Sequence, residues 1–260
     1  MVQILTGTSG YSFRDWSGTV YPGELSPQDW LNWYSQHLSL VELNFTFYRM
    51  PDKQALSKLQ SRVPRGFRFS VKAHRSLTHD RADSWKENAT HLRQALQPMI
   101  DSGSLVSTLF QFPYSFKYSI ENRRYLADLL EVCENTRPAV EFRHTDWIRT
   151  RVLDGLTERN AAIVCPDLPP LRNLPRFRPR ATSSIGYLRL HGRNTEHWWT
   201  GTNESRYYYR YSDSELHNIA DNALTIADEV DTIVIAFNNH FAGNAFHNAL
   251  QLQTILDSKC

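Results

Sequence analysis

The chain has 260 residues, close to the length of one (β/α)8 barrel, and can bury a large core without disulfide staples. Its 29 Lys and Arg against 27 Asp and Glu leave a net charge of +2, which argues against a broad nucleic-acid-binding surface. Cys133, Cys165 and Cys260 show no zinc-ligand spacing, no apolar run approaches membrane-spanning length, and MVQILTGTSG lacks a signal-peptide pattern; a cytoplasmic protein with no membrane partner is expected.

The first strand is expected at residues 4–8, followed by the long loop GTSGYSFRDWSGTVYPGELSP. Ser26, Pro27 and Asp29 read as a helix start, and Trp30, Trp33, Tyr34 and Leu38 share one helical face. VELNF, residues 41–45, reads as the second strand, and Leu56, Leu59 and Val63 mark a short helix. FRFSVKAH sets Phe67, Phe69, Val71 and Ala73 against Arg68, Ser70, Lys72 and His74, the alternation of a strand with two different faces. Ser84 and Glu87 predict a capping box ahead of Leu92, Leu96 and Met99.

The fourth strand is expected near residues 105–112, with Leu126, Leu129, Leu130 and Cys133 at helical spacing after it. AVEFRH is the fifth strand, and Ile148, Val152 and Leu156 carry the next helix. AIVCPD is the sixth strand. The proline-rich segment DLPPLRNLPRFRPR that follows cannot form a regular helix. GYLRLHG is the seventh strand, and Ser212 with Glu215 predicts a second capping box before Leu216, Ile219, Ala220, Ala223 and Leu224. TIVIAFNN is the eighth strand, and Ala245, Ala249, Leu252 and Leu256 form a closing helix.

Strands alternating with helices and no linker predict an α/β fold, a single (β/α)8 TIM barrel over residues 1–260 with a short or missing sixth helix. An open doubly wound sheet fits less well, because no GxGxxG follows the first strand.

The segments GTSGYSFRDWSGTVYP, VELNFTFYRMP, GFRFSVKAHRSLTHD, LFQFP, AVEFRHTDW, YLRLHG and AFNNHFAGNAFHNAL occur in this order. With these motifs the chain resembles the YecE-like proteins, the family described as domain of unknown function seventy-two, over nearly its whole length. The resemblance implies a TIM barrel in a small cytoplasmic protein and names no reaction. The loop HGRNTEHWWTGTNESRYYYRYS departs from the family's plainer form.

Several strands end in charged or hydrogen-bonding residues, and the C-terminal mouth is where TIM barrels build active sites. If the apolar residues of each strand face the helices, the others face inward. The expected mouth then holds Glu42, Asn44, Lys72, His74, Gln111, Glu141, Arg143, Asp167, Arg189, His191 and Asn238. Glu42, Lys72, Glu141 and His191 are the candidate catalytic groups. Asn44, His74, Gln111, Arg143, Asp167, Arg189 and Asn238 are candidates for substrate binding. Lys72 reads as a lowered-pKa base, a Schiff-base amine or a counter-ion to Glu42 or Glu141. Gly192 after His191 is a place where backbone can approach a ligand, and His74 can equally cap a loop. Trp198, Trp199, Tyr207, Tyr208 and Tyr209 form either a lid or a self-packed loop.

This kit fits an enzyme acting on a small anionic or polyhydroxylated molecule, such as a sugar phosphate or nucleotide-like compound, with no cofactor required. One alternative is a hydrolase or isomerase with a divalent metal held by Glu42, Glu141, Asp167 and His191, although no HxH or HExxH motif is present. Another is a nucleic-acid-binding or repair-associated protein, from RNLPRFRPR and the Arg-Tyr interleaving of RYYYRY. A familiar retaining glycosidase is disfavoured, because strands four and seven end in Gln111 and His191 instead of a carboxylate pair.

Overall fold

A computed structural model describes residues 2–259, apart from the Asn203 side chain. Cys260 lies outside the described residues, while Cys133 and Cys165 are buried free thiols. Eight parallel strands close into a barrel in sequence order. They are β1 (Gln3–Ser9), β2 (Leu40–Leu43), β3 (Arg68–Lys72), β4 (Leu105–Gln111), β5 (Pro138–Glu141), β6 (Ala162–Asp167), β7 (Ile185–Leu190) and β8 (Thr232–Phe237). The seam is a parallel ladder between β1 and β8, from Gln3 opposite Thr232 to Thr8 opposite Phe237.

The main crossover helices are α3 (Lys53–Gln60), α4 (Trp85–Asp101), α5 (Ile120–Val132), α6 (Thr150–Thr157), α8 (Asp213–Leu224) and α9 (Asn244–Asp257). Three shorter ones are α1 (Trp30–Tyr34), α2 (Phe45–Tyr48) and α7 (Asn203–Arg206). No helix forms between β6 and β7, as the prolines there require. None of the described helices is long and apolar enough to cross a membrane.

Several local expectations change: the fifth, seventh and eighth strands stop at Glu141, Leu190 and Phe237, short of the expected ends. The second strand stops at Leu43 instead of reaching Phe45, because Asn44 takes a helical backbone (φ −99°, ψ −20°) and α2 begins. Thr46 Oγ1 then lies 2.6 Å from the Lys72 carbonyl and 2.9 Å from that of Leu43, tying this turn to the end of β3. The Ser84 capping box does not form, since Ser84 (φ −74°, ψ 9°) lacks the extended backbone of a capping residue and makes no capping bond. The Ser212–Glu215 box forms in full.

Most of the buried apolar residues fall into two sets, with a small third cluster of Leu168, Leu174 and Trp198. A small interior plug includes Leu5, Leu40, Val106, Leu109, Ala139, Val164 and Val234. A larger jacket between strands and helices takes the opposite parity, with Val41, Phe69, Val71, Phe110, Val140, Leu188 and Ile235. The plug fills only the lower part of the barrel, and the strand ends above it carry the polar residues.

Candidate active site at the barrel mouth

Above the plug the interior turns polar in steps. Tyr187 on β7 donates its hydroxyl to Glu42 Oε2 at 2.7 Å and lies 3.0 Å from Ser70 Oγ, which is 3.0 Å from Ser107 Oγ. Arg189, two residues further up β7, donates to Glu42 from Nε (2.9 Å) and Nη2 (2.7 Å), and to Glu141 Oε2 from Nη1 (3.1 Å). Arg143, just past β5, donates from Nε to Glu141 Oε1. His191 Nε2 lies 3.1 Å from that same oxygen. Glu42, Glu141, Arg189 and His191 are all buried.

Burial raises the carboxyl pKa of Glu42, but the Arg189 charge and hydrogen bonds, with help from Tyr187, hold it below the usual value. Burial also opposes ionisation of Glu141, and Arg143, Arg189 and His191 overcome it by a wider margin. Burial first, and then the Arg143 charge, push His191 down to about 3 against the pull of Glu141. The imidazole is therefore neutral at pH 7. Asn238 Nδ2 lies 3.0 Å from His191 Nδ1, and Nε2 faces Glu141 at 3.1 Å and, at longer range, Arg143 Nη2 (3.3 Å) and Arg189 Nη1 (3.5 Å); an Nε2–H tautomer satisfies the two shorter contacts.

This ionic layer is the floor of an open cavity of about 400 Å³. Lys72, Arg143, Arg189 and Arg206 line it, and no Asp or Glu does. Lys72 Nζ sits 4.1 Å from the centroid of the Phe47 ring, a residue that α2 carries to the mouth. Burial and then the Arg189 charge lower the Lys72 amine to about 7, with Glu42 and Glu141 opposing. Among the described residues no carboxylate pairs with it within 4 Å; Glu42 and Glu141 are taken up by the guanidinium groups. Lys72 thus makes no direct salt bridge to either glutamate, although both act on its charge. His79 also lines the cavity, its ring edge-on to Phe47 at 4.8 Å, and burial followed by the Lys72 and Arg143 charges lowers it to about 4.

The loop after β7 folds back over the mouth. Trp198 is buried, with its ring 5.8 Å from the Arg143 guanidinium and 6.0 Å from that of Arg206. Tyr207 lies over His191, ring centroids 5.9 Å apart. Asn44 Oδ1 and Arg206 Nε are buried at this site without a hydrogen-bond partner among the described residues. A polar atom left so in a native site calls for a ligand or water to complete it.

Lys72, Gln111 and Arg189 line the cavity from their strands, and Asn44, Arg143 and Asn238 do so from just past the strand ends. Glu42, Glu141 and His191 stand among the polar residues of the barrel interior and hold the lining groups in place. Asp167 departs from the expectation of an inward side chain. It shares its parity with Ile163, a jacket residue, while Ala162 and Val164 face inward. Its carboxylate accepts from Arg193 Nε (3.0 Å) and Tyr211 Oη (2.7 Å) outside the cavity lining. His74 is the loop cap: its Nδ1 accepts the Ser76 amide at 3.3 Å. Gly192 serves a turn at φ +84°, and a Cβ there would come within 2.5 Å of Tyr209 Cβ. Of the four metal-ligand candidates, Asp167 stands apart and the carboxylates of Glu42 and Glu141 are engaged by Arg189 and Arg143; no cluster of three or more His, Cys, Asp or Glu suited to a metal exists among the described residues. Within RYYYRY, Tyr209 donates to Glu215 and Tyr211 to Asp167, Arg206 and Tyr207 line the cavity, and Tyr208 is exposed.

The expected mouth did not include Phe13, Phe47, Tyr48, His79, Arg206 and His240, all of which line the cavity. Each lies in a loop or short helix outside the strands, and that position was the available signal. His240 stacks on Phe13 with rings 1° from parallel, 4.5 Å apart, and burial lowers its pKa.

A closed parallel (β/α)8 barrel with a layered ionic floor under a cation-lined mouth places this chain among the TIM barrels. The family whose sequence profile it matches, over residues 5–260, is described as "Protein of unknown function DUF72", and the chain belongs to that family. It is similar to the UPF0759 protein YunF of Bacillus subtilis, 29% identical over 271 residues, covering 98% of this chain and 95% of the relative. A crystal structure of a DUF72 family protein from Thermotoga maritima is 36% identical, with a TM-score of 0.87 over 98% of this chain and 99% of that one. One from Enterococcus faecalis is 26% identical, with a TM-score of 0.87 over 98% of this chain and 96% of that one.

Proposed function

We propose that this protein is an enzyme acting on a small anionic molecule, of the size of a sugar phosphate or nucleotide-like compound, bound in the cavity at the barrel mouth. The observation that carries this reading is the imbalance of the cavity wall, where four cationic side chains stand and no carboxylate does. A guanidinium presents a planar fork suited to carboxylate or phosphate oxygens. The aromatic wall of Phe47, Tyr114, Trp198 and Tyr207 gives apolar surface to the rest of the substrate.

The chemistry this wall supports is proton transfer or nucleophilic attack by an amine. Lys72, lowered to about 7, supplies a sizeable fraction of neutral amine at neutral pH. Glu141 and His191 act below it as positioning groups, fixing the Arg143 and Arg189 guanidinium planes.

A thermal-shift screen with inorganic phosphate, sugar phosphates, nucleotides and carboxylates tests the reading. Anionic members should raise the Tm of the wild type and do so far less in Lys72→Met and Arg206→Met. A panel in which only neutral or cationic compounds stabilise would refute it.

A further inference from the structure

We infer that Lys72 forms a covalent imine with a small substrate that carries both a carbonyl carbon and an anionic group, a carboxylate or a phosphate. The inference rests on the reading of the mouth as an anion site and goes beyond it by naming the reactive atom and the substrate's second functional group.

The geometry points to the amine as nucleophile rather than ion-pair partner. Every carboxylate of the floor is already held by Arg143 or Arg189, and Lys72 Nζ is left against the face of Phe47 at the cavity wall. Arg143, Arg189 and Arg206 share this wall and never deprotonate. They can hold the anionic group while the amine attacks the carbonyl. Only six of the 29 basic residues in the chain are lysines, and the other five, Lys53, Lys58, Lys86, Lys117 and Lys259, are exposed. A guanidinium at position 72 would serve charge alone. The amine is the one cation of this wall able to add to a carbonyl.

The step balances without a co-reactant. The neutral amine nitrogen adds to the carbonyl carbon, forming the C–N bond and a carbinolamine. Two hydrogens of the amine leave with the carbonyl oxygen as water, and the C=N bond of the imine remains. His79 lines the same cavity as a neutral imidazole and can relay a proton from nitrogen to the departing oxygen through a cavity water.

The test is borohydride trapping on the intact protein at pH 7 with glyoxylate, pyruvate and dihydroxyacetone phosphate, read by intact mass and by peptide mapping of all six lysines. The first two arms probe a carboxylate anion and the third a phosphate. The expected result is a mass gain equal to one probe less an oxygen atom, placed on Lys72 on the order of 10–100-fold faster than on any exposed lysine, because a larger fraction of this amine is unprotonated. Lys72→Arg should abolish the trapping while still binding glycerol 3-phosphate, and Lys72→Met gives the same loss without the larger side chain. If glycerol 3-phosphate binds but no probe is fixed on Lys72 above the rate of the exposed lysines, the imine is refuted and the anion site stands. If neither glycerol 3-phosphate nor any probe binds or reacts at the mouth, both readings fall.

Discussion

Arg189 on β7 reaches across the barrel to Glu42 on β2 and holds it at two points, Nε to Oε2 at 2.9 Å and Nη2 to Oε1 at 2.7 Å. Its remaining nitrogen turns to Glu141 at the end of β5. One guanidinium thus joins three strands and neutralises much of the negative charge beneath the cavity. Buried pairs of this kind are poor sources of stability against an apolar core of equal volume. What the arrangement secures is position: a fixed charged floor under a wall whose remaining charge is positive.

Removing one partner should expose that cost. Arg189→Met leaves Glu42 with no guanidinium and Glu141 with one. Loss of a buried partner costs about 3–5 kcal/mol, measurable as a lower denaturation midpoint. A loss below about 1 kcal/mol would contradict the tight coupling described here.

Lys72→Met should have the opposite sign. The Lys72 pKa falls from 10.5 when unfolded to about 7 when folded, so the unfolded chain binds the extra proton between these values. Wild-type stability from this group therefore rises with pH across 7 to 10.5, and the charged amine is most costly at and below 7. The variant should be more stable by on the order of 1–3 kcal/mol at pH 7, discounted for the amine's access to solvent. The gain should shrink toward pH 10. A gain independent of pH, or a loss at pH 7, would count against the lowered amine.

His191 gives a window at lower pH. Its folded value near 3 lies below the unfolded 6.5, so stability falls as pH drops through 6.5 and continues to fall toward 3. The slope is about 1.4 kcal/mol per pH unit for one such histidine. NMR of the imidazole should find the Nε2–H tautomer, with no titration above pH 4.5. A ring that titrates near 6.5 would mean that solvent or a compensating charge reaches it.

Asp167→Asn separates support from chemistry. Burial raises the Asp167 carboxyl despite its bonds to Arg193 and Tyr211, and the group stands outside the cavity wall. The variant should lose about 1–3 kcal/mol of stability yet keep anion affinity within about twofold, a ratio that corresponds to less than 1 kcal/mol. A large drop in affinity with stability unchanged would return Asp167 to the list of binding residues.

Trp199→Ala tests the wall itself. Trp199 is 52% exposed, lines the cavity and packs edge-on to Tyr114 with ring centroids 4.9 Å apart. Its removal should change stability by no more than about 0.5 kcal/mol while weakening binding of a ring-bearing anion such as a nucleotide more than binding of phosphate, as titration calorimetry would report. Equal effects on both ligands would remove stacking from the account.

The amino-acid sequence alone determined the barrel and most of its inward-facing residues. Alternation along a strand follows from backbone geometry two residues at a time, so Glu42, Lys72, Glu141, Arg189 and Asn238 could be assigned to the interior from their apolar neighbours. That local rule misplaced Asp167, since AIVCPD is apolar at nearly every position and its parity is not visible. The pairings were decided by tertiary structure. Glu42 meets Arg189 across 147 residues of chain, and Glu141 meets His191 across 50. Which carboxylate takes which cation depends on height and angle inside a closed barrel, and periodicity carries neither. Lys72 was left without a carboxylate because the guanidinium groups reached both glutamates, while α2 and the loop after β7 brought Phe47 and Trp198 to the mouth through long-range contacts.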